Sequence, residues 1–103
     1  MNALPELGFA RPCFHPGRNT SVRRGERWHG VAAASVHVVA EQPPRTVALH
    51  TELRRFAELT DADLRDEHDP ACRSPAGLLA VMQALYPGFA PDEVVTLVHF
   101  WLD

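Results

Sequence analysis

Apolar and polar positions along the chain alternate in a way that predicts mostly β-structure. Residues 19–23 form a short polar segment, which predicts a strand at the rim of a sheet. Valines dominate residues 28–40, two prolines end that run, and residues 45–52 alternate again, with Val47 and Leu49 on one face. We expect these two longer segments to pair as an antiparallel hairpin.

The second half of the chain predicts two helices. Thr60 is followed by acidic residues, a pattern typical of a helix N-terminus, so residues 60–68 predict a short helix. Ser74 and Pro75 supply a cap and a first-turn proline for a second helix. Apolar residues then recur every three or four positions until Pro87 ends the pattern.

A terminal strand completes the predicted fold. Residues 93–102 are rich in β-branched and aromatic side chains, which is typical of a short strand buried on both faces. Residues 1–14 contain prolines and a glycine and predict an N-terminal arm or a short helix, while residues 15–103 predict one domain. The order of elements predicts an α+β fold, a small and partly open β-barrel or curled sheet with two short helices packed at its side.

Length and composition narrow the class of protein. The chain has 103 residues, of which 46% are hydrophobic and 22% charged, as in ordinary globular domains. Its apolar runs are about half the ~20 residues that a membrane helix needs, and its first residues lack the pattern of a signal peptide. We therefore expect a cytoplasmic protein without membrane contact. Two cysteines are too few for a disulfide framework, so we expect free thiols.

Charged residues are distributed unevenly along the chain, and the absence of lysine among them excludes one kind of chemistry. All ten basic residues are arginines, which excludes reactions that need a lysine amine as nucleophile or base. The first 50 residues carry six arginines and three acids, whereas the rest of the chain carries four arginines and ten acids. This division argues against a general polyanion binder but allows one basic site for a phosphate or a short nucleic acid.

Three segments resemble, in order, the motifs of the ASCH domain family. The first is the glycine-led GRNTSVRRG of residues 17–25, followed by Trp28; the second is the acidic stretch of residues 59–67; the third is residues 78–100, which contain YPG and VVTLVHF. The resemblance implies a PUA-like β-barrel that binds RNA or a nucleotide in a groove, with no cofactor. Small single-domain members resemble amidohydrolases that remove an acyl group from N4-acetylcytidine, using a lysine, a threonine and a glutamate.

Carried over residue by residue, that catalytic set is incomplete here. The lysine position falls on Asn19 and the glutamate position on Glu67. The threonine position falls on Ser21 if one residue is deleted from the segment and on Val22 if none is, with Thr20 beside either. The candidate catalytic residues are therefore Thr20, Ser21 and Glu67, and the deacylase activity lacks its lysine.

The glycine-led segment also carries groups that bind phosphate. Arginines pair bidentately with phosphate oxygens, a turn glycine lets main-chain N–H groups face an anion, and an aromatic ring stacks on a base. The candidate binding residues are Arg18, Asn19, Arg23, Arg24 and Trp28. The competing interpretation is a solvated segment whose arginines pair with nearby acids, with Glu67 as one more exposed acid and Trp28 as part of the core.

Two cysteines and two histidines suggest a candidate metal site. Cys13, His15, His68 and Cys72 together would supply the two sulfurs and two nitrogens of a tetrahedral zinc site. The spacing of the first pair is too tight for a usual zinc motif, so we expect no metal. The histidines in the predicted strands are expected to be hydrogen-bonded and partly buried.

Two functions follow as hypotheses. In the first, the chain binds RNA, a nucleoside or a nucleotide; in the second, it hydrolyses an amide on a modified nucleoside, or cleaves RNA, with Ser21 or Thr20 and Glu67. The missing lysine favours binding. A third hypothesis is a protein-interaction domain whose acidic second half meets a basic partner. A pocket large enough for a pyrimidine, with Glu67 within hydrogen-bond reach of Thr20 or Ser21, would favour the enzyme. An open groove bordered by the arginine segment, with Glu67 in solvent, would favour binding.

Overall fold

The computed structural model describes residues 4–9, 13–39 and 41–103, which form five strands and one α-helix. The strands are β1 (Gly17–Arg24), β2 (Ala33–Val36), β3 (Arg45–Ala48), β4 (His50–Arg55) and β5 (Val94–Leu102). The helix is α1 (Pro75–Leu85), preceded by two single turns of 3-10 helix, Phe56–Glu58 and Pro70–Cys72. Within these residues, no helix is long and apolar enough to cross a membrane.

β5 is the central strand of a three-stranded antiparallel sheet with the order β1-β5-β4. His99 of β5 lies opposite Thr20 of β1 on one side and opposite His50 of β4 on the other. Residues 95–100 are all buried, because both faces of this sheet are covered. The prediction of a largely buried terminal strand is therefore confirmed.

Each face of the central sheet carries its own hydrophobic core. Neighbouring side chains of a strand point to opposite faces, so β5 contributes alternate residues to both cores. The helix-side core contains Phe56, Leu59, Leu64, Cys72, Leu78, Met82, Phe89, Val95 and Leu97. The hairpin-side core contains Leu7, Ala34, Val36, Val47, Val98, Phe100 and Leu102.

β2 and β3 form the predicted antiparallel hairpin as a separate two-stranded sheet. The N-terminal residues 4–9 run beside β2. The N–H of Leu7 donates to the carbonyl of Ser35 at 2.9 Å, and the N–H of Ser35 donates to the carbonyl of Pro5 at 2.9 Å. These bonds place Leu7 in the hairpin-side core.

α1 begins and ends as its sequence predicts. The side chain of Ser74 accepts a hydrogen bond from the N–H of Gly77 at 3.1 Å, and Pro75 occupies the first turn, where its missing N–H costs nothing. Leu78 and Met82, four residues apart, face the helix-side core. The prediction of this helix is confirmed.

The predicted barrel is wrong, because the described strands form two separate sheets. The sequence predicts a single strand over residues 45–52, but the chain changes sheets within this segment. The N–H of Leu49 still donates to the carbonyl of Ala32 in the hairpin at 2.8 Å, and His50 begins β4 of the central sheet. The hairpin and α1 each cover one face of the central sheet. The result is a layered α+β arrangement in which neither sheet is closed.

The predicted helix at residues 60–68 is also wrong, because this segment is a series of turns. Its main chain is diverted to β1: the carbonyl of Asp66 accepts from the N–H of Thr20 at 2.8 Å, and the N–H of His68 donates to the carbonyl of Thr20 at 3.0 Å. In a helix over residues 60–68, the N–H of His68 would instead donate to the carbonyl of Leu64. One α-helix, rather than two, therefore accompanies the described sheets.

Candidate ligand-binding site

A cavity of about 540 Å³ opens beside the outer edge of β1. Ser21, Val22 and Arg23 of β1 line it, together with α1, most of residues 67–72, and Gly8 and Phe9 of the N-terminal segment. Cavities of about 300–1,000 Å³ are typical of small-molecule sites. The cavity thus combines the edge of a strand, one face of a helix and a polar turn.

The hydrogen bonds of Thr20 to the turn place Glu67 in this cavity. Thr20 and Glu67 form an isolated parallel bridge, with the main-chain bonds of Asp66 and His68 on either side. The side chain of Glu67 is 1% exposed. The Arg73 guanidinium also donates from Nε to the Glu67 carbonyl at 2.9 Å, which fixes this residue from the other side. The turn that replaces the predicted helix is therefore what positions the acid.

The two carboxyl oxygens of Glu67 differ in their surroundings. Oε1 lies 2.5 Å from Nδ1 of His68, which also lies 3.3 Å from the carbonyl oxygen of Thr20. Since both neighbours of this nitrogen are oxygens that accept, Nδ1 carries the proton. Oε2 is buried and has no hydrogen-bond partner among the described residues. Such an unsatisfied buried group costs about 1–3 kcal/mol.

Cys72 lies close to Glu67 and stays a protonated thiol. Burial raises the pKa of Cys72 to about 12, and the charges of Glu67 and Asp69 contribute to the same shift. A thiol with such a pKa is not a nucleophile at neutral pH. Cys72 therefore contributes apolar surface to the cavity and to the helix-side core.

Ser21 and Arg23 form the second polar group of the cavity. Nε of Arg23 donates to Oγ of Ser21 at 2.8 Å, and Nη2 donates to the carbonyl of Gly8 at 2.7 Å. The guanidinium also lies 4.8 Å from the centre of the Phe9 ring. Burial lowers the pKa of Arg23 from its ordinary value, and the charge of Glu67 opposes that shift. Arg23 thus holds a positive charge against the serine hydroxyl.

Thr20 belongs to a different hydrogen-bonded chain, outside the cavity. Its hydroxyl lies 2.9 Å from Nδ1 of His99, and Nε2 of His99 lies 2.9 Å from Oε2 of Glu52. Glu52 accepts from Nε2, so Nδ1 is left to accept from the threonine hydroxyl. Burial lowers the pKa of His99, and the hydrogen bond from His99 lowers the pKa of Glu52. Thr20 is fully buried, so this chain joins the three strands and offers no nucleophile to a ligand.

Four of the predicted binding residues lie outside the lining of the cavity. Arg18 pairs with Asp66 at 2.9 Å, and Arg24 pairs with Glu93 at 2.8 Å, both near the surface. The buried side chain of Asn19 donates to the carbonyls of His15 and Gly17 at 2.8 and 3.2 Å, so it stabilises the turn before β1. Trp28 packs against the hairpin-side core. The Arg18–Asp66 pair and the packing of Trp28 match the competing interpretation from the sequence, whereas the burial of Asn19 and Glu67 does not. Among the described residues, Arg23 is the arginine of this segment that lines the cavity.

Several residues of the cavity escaped the sequence analysis. The sequence suggests His68 only as a metal ligand. In the described part of the chain, no group of three metal-ligating side chains comes together. Tyr86 and the helix residues Leu78 and Met82 also line the cavity. The alternation of β1 would have grouped Ser21 with Arg23, but no local pattern indicates that α1 faces them.

Comparisons with family models, with curated proteins and with solved structures each give no match. The resemblance to the ASCH family therefore stays a prediction. The function has to be argued from the geometry of the cavity.

Proposed function

We propose that the cavity beside β1 binds a nucleoside or a nucleotide by its base. The unpaired Oε2 of Glu67, buried at the cavity, carries this proposal. A ligand N–H that donates to this oxygen would remove the cost of leaving it unsatisfied, about 1–3 kcal/mol. The amino and imino groups of nucleobases are donors of this kind, and the resemblance of the chain to a nucleotide-binding family supports the same ligand class.

The apolar lining supports a flat aromatic ligand. Leu78 and Met82 of α1 and the ring of Phe9 line the cavity, so a base would leave water for an apolar surface. Tyr86 is 39% exposed and also lines the cavity. An aromatic side chain that is partly in water offers a face on which a base can stack.

The charges around the cavity support a small ligand over a long RNA. Arg18 and Arg24 are neutralised by acidic partners. Glu67 and Asp69 also line the cavity, whereas an RNA groove presents a row of positive charges to successive phosphates. Arg23 supplies one positive charge, enough for a single phosphate group.

Hydrolysis of an acylated base is the second candidate, because no hydrogen bond joins the Ser21 hydroxyl to the Glu67 carboxyl group among the described residues. Ser21, Arg23 and Glu67 share the cavity, and these are a hydroxyl, a positive charge and a carboxyl group. In this reaction Ser21 Oγ bonds to the acyl carbon, Glu67 takes the hydroxyl proton, and Arg23 stabilises the oxyanion. The C–N bond then breaks, the proton passes to the leaving amine, and water cleaves the serine ester to give the free acid.

An NMR titration tests both candidates. Isotope-labelled protein is titrated with cytidine, with N4-acetylcytidine and with a short single-stranded RNA, while the amide shifts and the acetyl methyl signal are followed. We expect cytidine to shift the amides around Ser21, Arg23 and Glu67. We expect Glu67→Gln to weaken cytidine binding about tenfold or more, because the amide oxygen would accept from Nδ1 of His68 and the amide NH2 group, a donor, would face the ligand N–H.

The matched control is Asp61→Asn, which removes the same charge from an exposed residue of the same turn segment. Equal affinity of the Glu67→Gln variant and the wild type would contradict the binding site. Loss of the acetyl signal in the wild type, but not in Ser21→Ala or Glu67→Gln, would establish hydrolysis. A stable acetyl signal during saturation of the cavity would exclude it.

A further inference from the structure

β1 is an outer strand of the central sheet, so one of its edges faces away from β5. In an antiparallel pair, the main-chain groups of alternate residues point to the partner strand and those of the residues between point outward. Thr20 points outward, because its N–H donates to Asp66 and its carbonyl accepts from His68. Val22, two residues further along, therefore points outward as well.

Val22 presents to the cavity a main-chain donor and acceptor that have no partner among the described residues. It lines the cavity and is half-buried. Outside the β1–β5 ladder, in which alternation turns these groups away from Leu97, no described residue forms a hydrogen bond with its N–H or its carbonyl. The parallel pairing that occupies Thr20 ends at His68, before the 3-10 turn Pro70–Cys72, and is not continued to Val22. Partly buried main-chain groups are normally paired, so this pair is available to a ligand.

We propose that the N–H and the carbonyl of Val22 read the hydrogen-bonding edge of an amino-bearing base, cytosine or adenine. This inference rests on the proposed nucleoside site. Such a base carries a ring nitrogen that accepts beside an exocyclic amino group that donates. The ring nitrogen would accept from the N–H of Val22, and one amino hydrogen would go to its carbonyl. The second amino hydrogen would then serve the unpaired Oε2 of Glu67.

The extent of the open edge favours a base over a peptide strand. An added peptide strand needs main-chain bonds at several successive outward residues. Thr20 is already occupied by the turn, and within the cavity Val22 is the one outward-pointing residue of β1 in the described part of the chain. A single donor–acceptor pair beside apolar helix residues matches the edge and face of one ring.

The experiment measures the Val22 amide directly. In the labelled full-length protein, cytidine is expected to move the Val22 amide proton downfield and to slow its hydrogen exchange. The Thr20 amide, already bonded to Asp66, is the internal control and is expected to keep its exchange rate. N4,N4-dimethylcytidine, which lacks both amino donors, is expected to bind at least tenfold more weakly than cytidine, and uridine is expected to bind more weakly too.

The outcomes separate this inference from the proposed function. Shifts at Ser21, Arg23 and Glu67 with an unchanged Val22 amide would overturn main-chain reading and leave the nucleoside site intact. Equal binding of cytidine and N4,N4-dimethylcytidine would do the same. An absence of shifts with every nucleoside would overturn the proposed function itself, and a Val22 shift with an extended peptide alone would assign the edge to strand addition.

Discussion

Thr20→Val separates a structural role of Thr20 from the catalytic role that its sequence suggests. The Thr20 hydroxyl donates to Nδ1 of His99, whose other ring nitrogen donates to Glu52. Valine has nearly the same shape as threonine, so it would fill the site but leave the buried Nδ1 without a donor. One such unsatisfied group costs about 1–2 kcal/mol. For a domain of about 100 residues this corresponds to a fall in Tm of about 5–15 °C.

Urea denaturation measures this loss, and we expect a lower midpoint with an unchanged m-value. The control is Thr20→Ser, which keeps the hydroxyl and loses one methyl group, at a cost of about 1 kcal/mol or less. Cytidine affinity is expected to be the same in both variants, because Thr20 is fully buried and does not line the cavity. Full stability of the Thr20→Val variant would refute the structural role of Thr20, and so would a loss of ligand binding in Thr20→Val that Thr20→Ser does not show.

Three further predictions concern the packing and titration around the cavity. Gly77→Ala is expected to destabilise the fold by about 1–3 kcal/mol, because its Cβ would overlap the main-chain oxygen of Ala71. The Cβ of Gly8→Ala meets open space, so thermal melts of the two variants test this difference. Iodoacetamide at pH 8 is expected to label exposed Cys13 and to spare Cys72, whose pKa is about 12, so mass spectrometry of the native protein would find one adduct. The pKa of His99 is lower in the folded state than its ordinary 6.5, so the unfolded chain binds a proton first and stability falls as the pH drops below about 6.5. Urea midpoints between pH 5 and 7 would show a shallower pH dependence in His99→Gln than in the wild type, and an equal dependence would contradict the assignment.

Elements with local signals were predictable from the sequence, and elements set by distant contacts were not. Ser74 and Pro75 fix the start of α1 regardless of its surroundings. The segment at residues 60–68 carries weaker helix signals, and Thr20, more than forty residues earlier, bonds to its main chain at Asp66 and His68. Tertiary pairing overrides local propensity in this way. The predicted, partly open barrel is wrong for the same reason, since nothing in residues 45–52 indicates that the chain changes sheets.

The residues of the candidate site show the same difference between local signals and distant contacts. Ser21 and Glu67, carried over from a family resemblance, do line one cavity. Arg18 and Arg24 were expected beside them, but their acidic partners lie 48 and 69 residues further along the chain. No single-sequence pattern reveals which of three neighbouring arginines will be neutralised by such a partner. Arg23 keeps its place at the cavity because β1 alternates and Ser21 lies on the same face.

One feature of β1 accounts for both the failed helix and the cavity. The outer edge of this strand needs partners, and the turn supplies them at Thr20 through Asp66 and His68. That pairing prevents residues 60–68 from forming a helix. It also holds the Glu67 carboxyl group in a buried position that an exposed helix would not provide. Because the pairing stops after one residue, the outward main-chain groups of Val22 have no partner among the described residues. The polar groups of the proposed site therefore arise from a strand edge that is only partly covered, which requires the fold as a whole rather than a local motif.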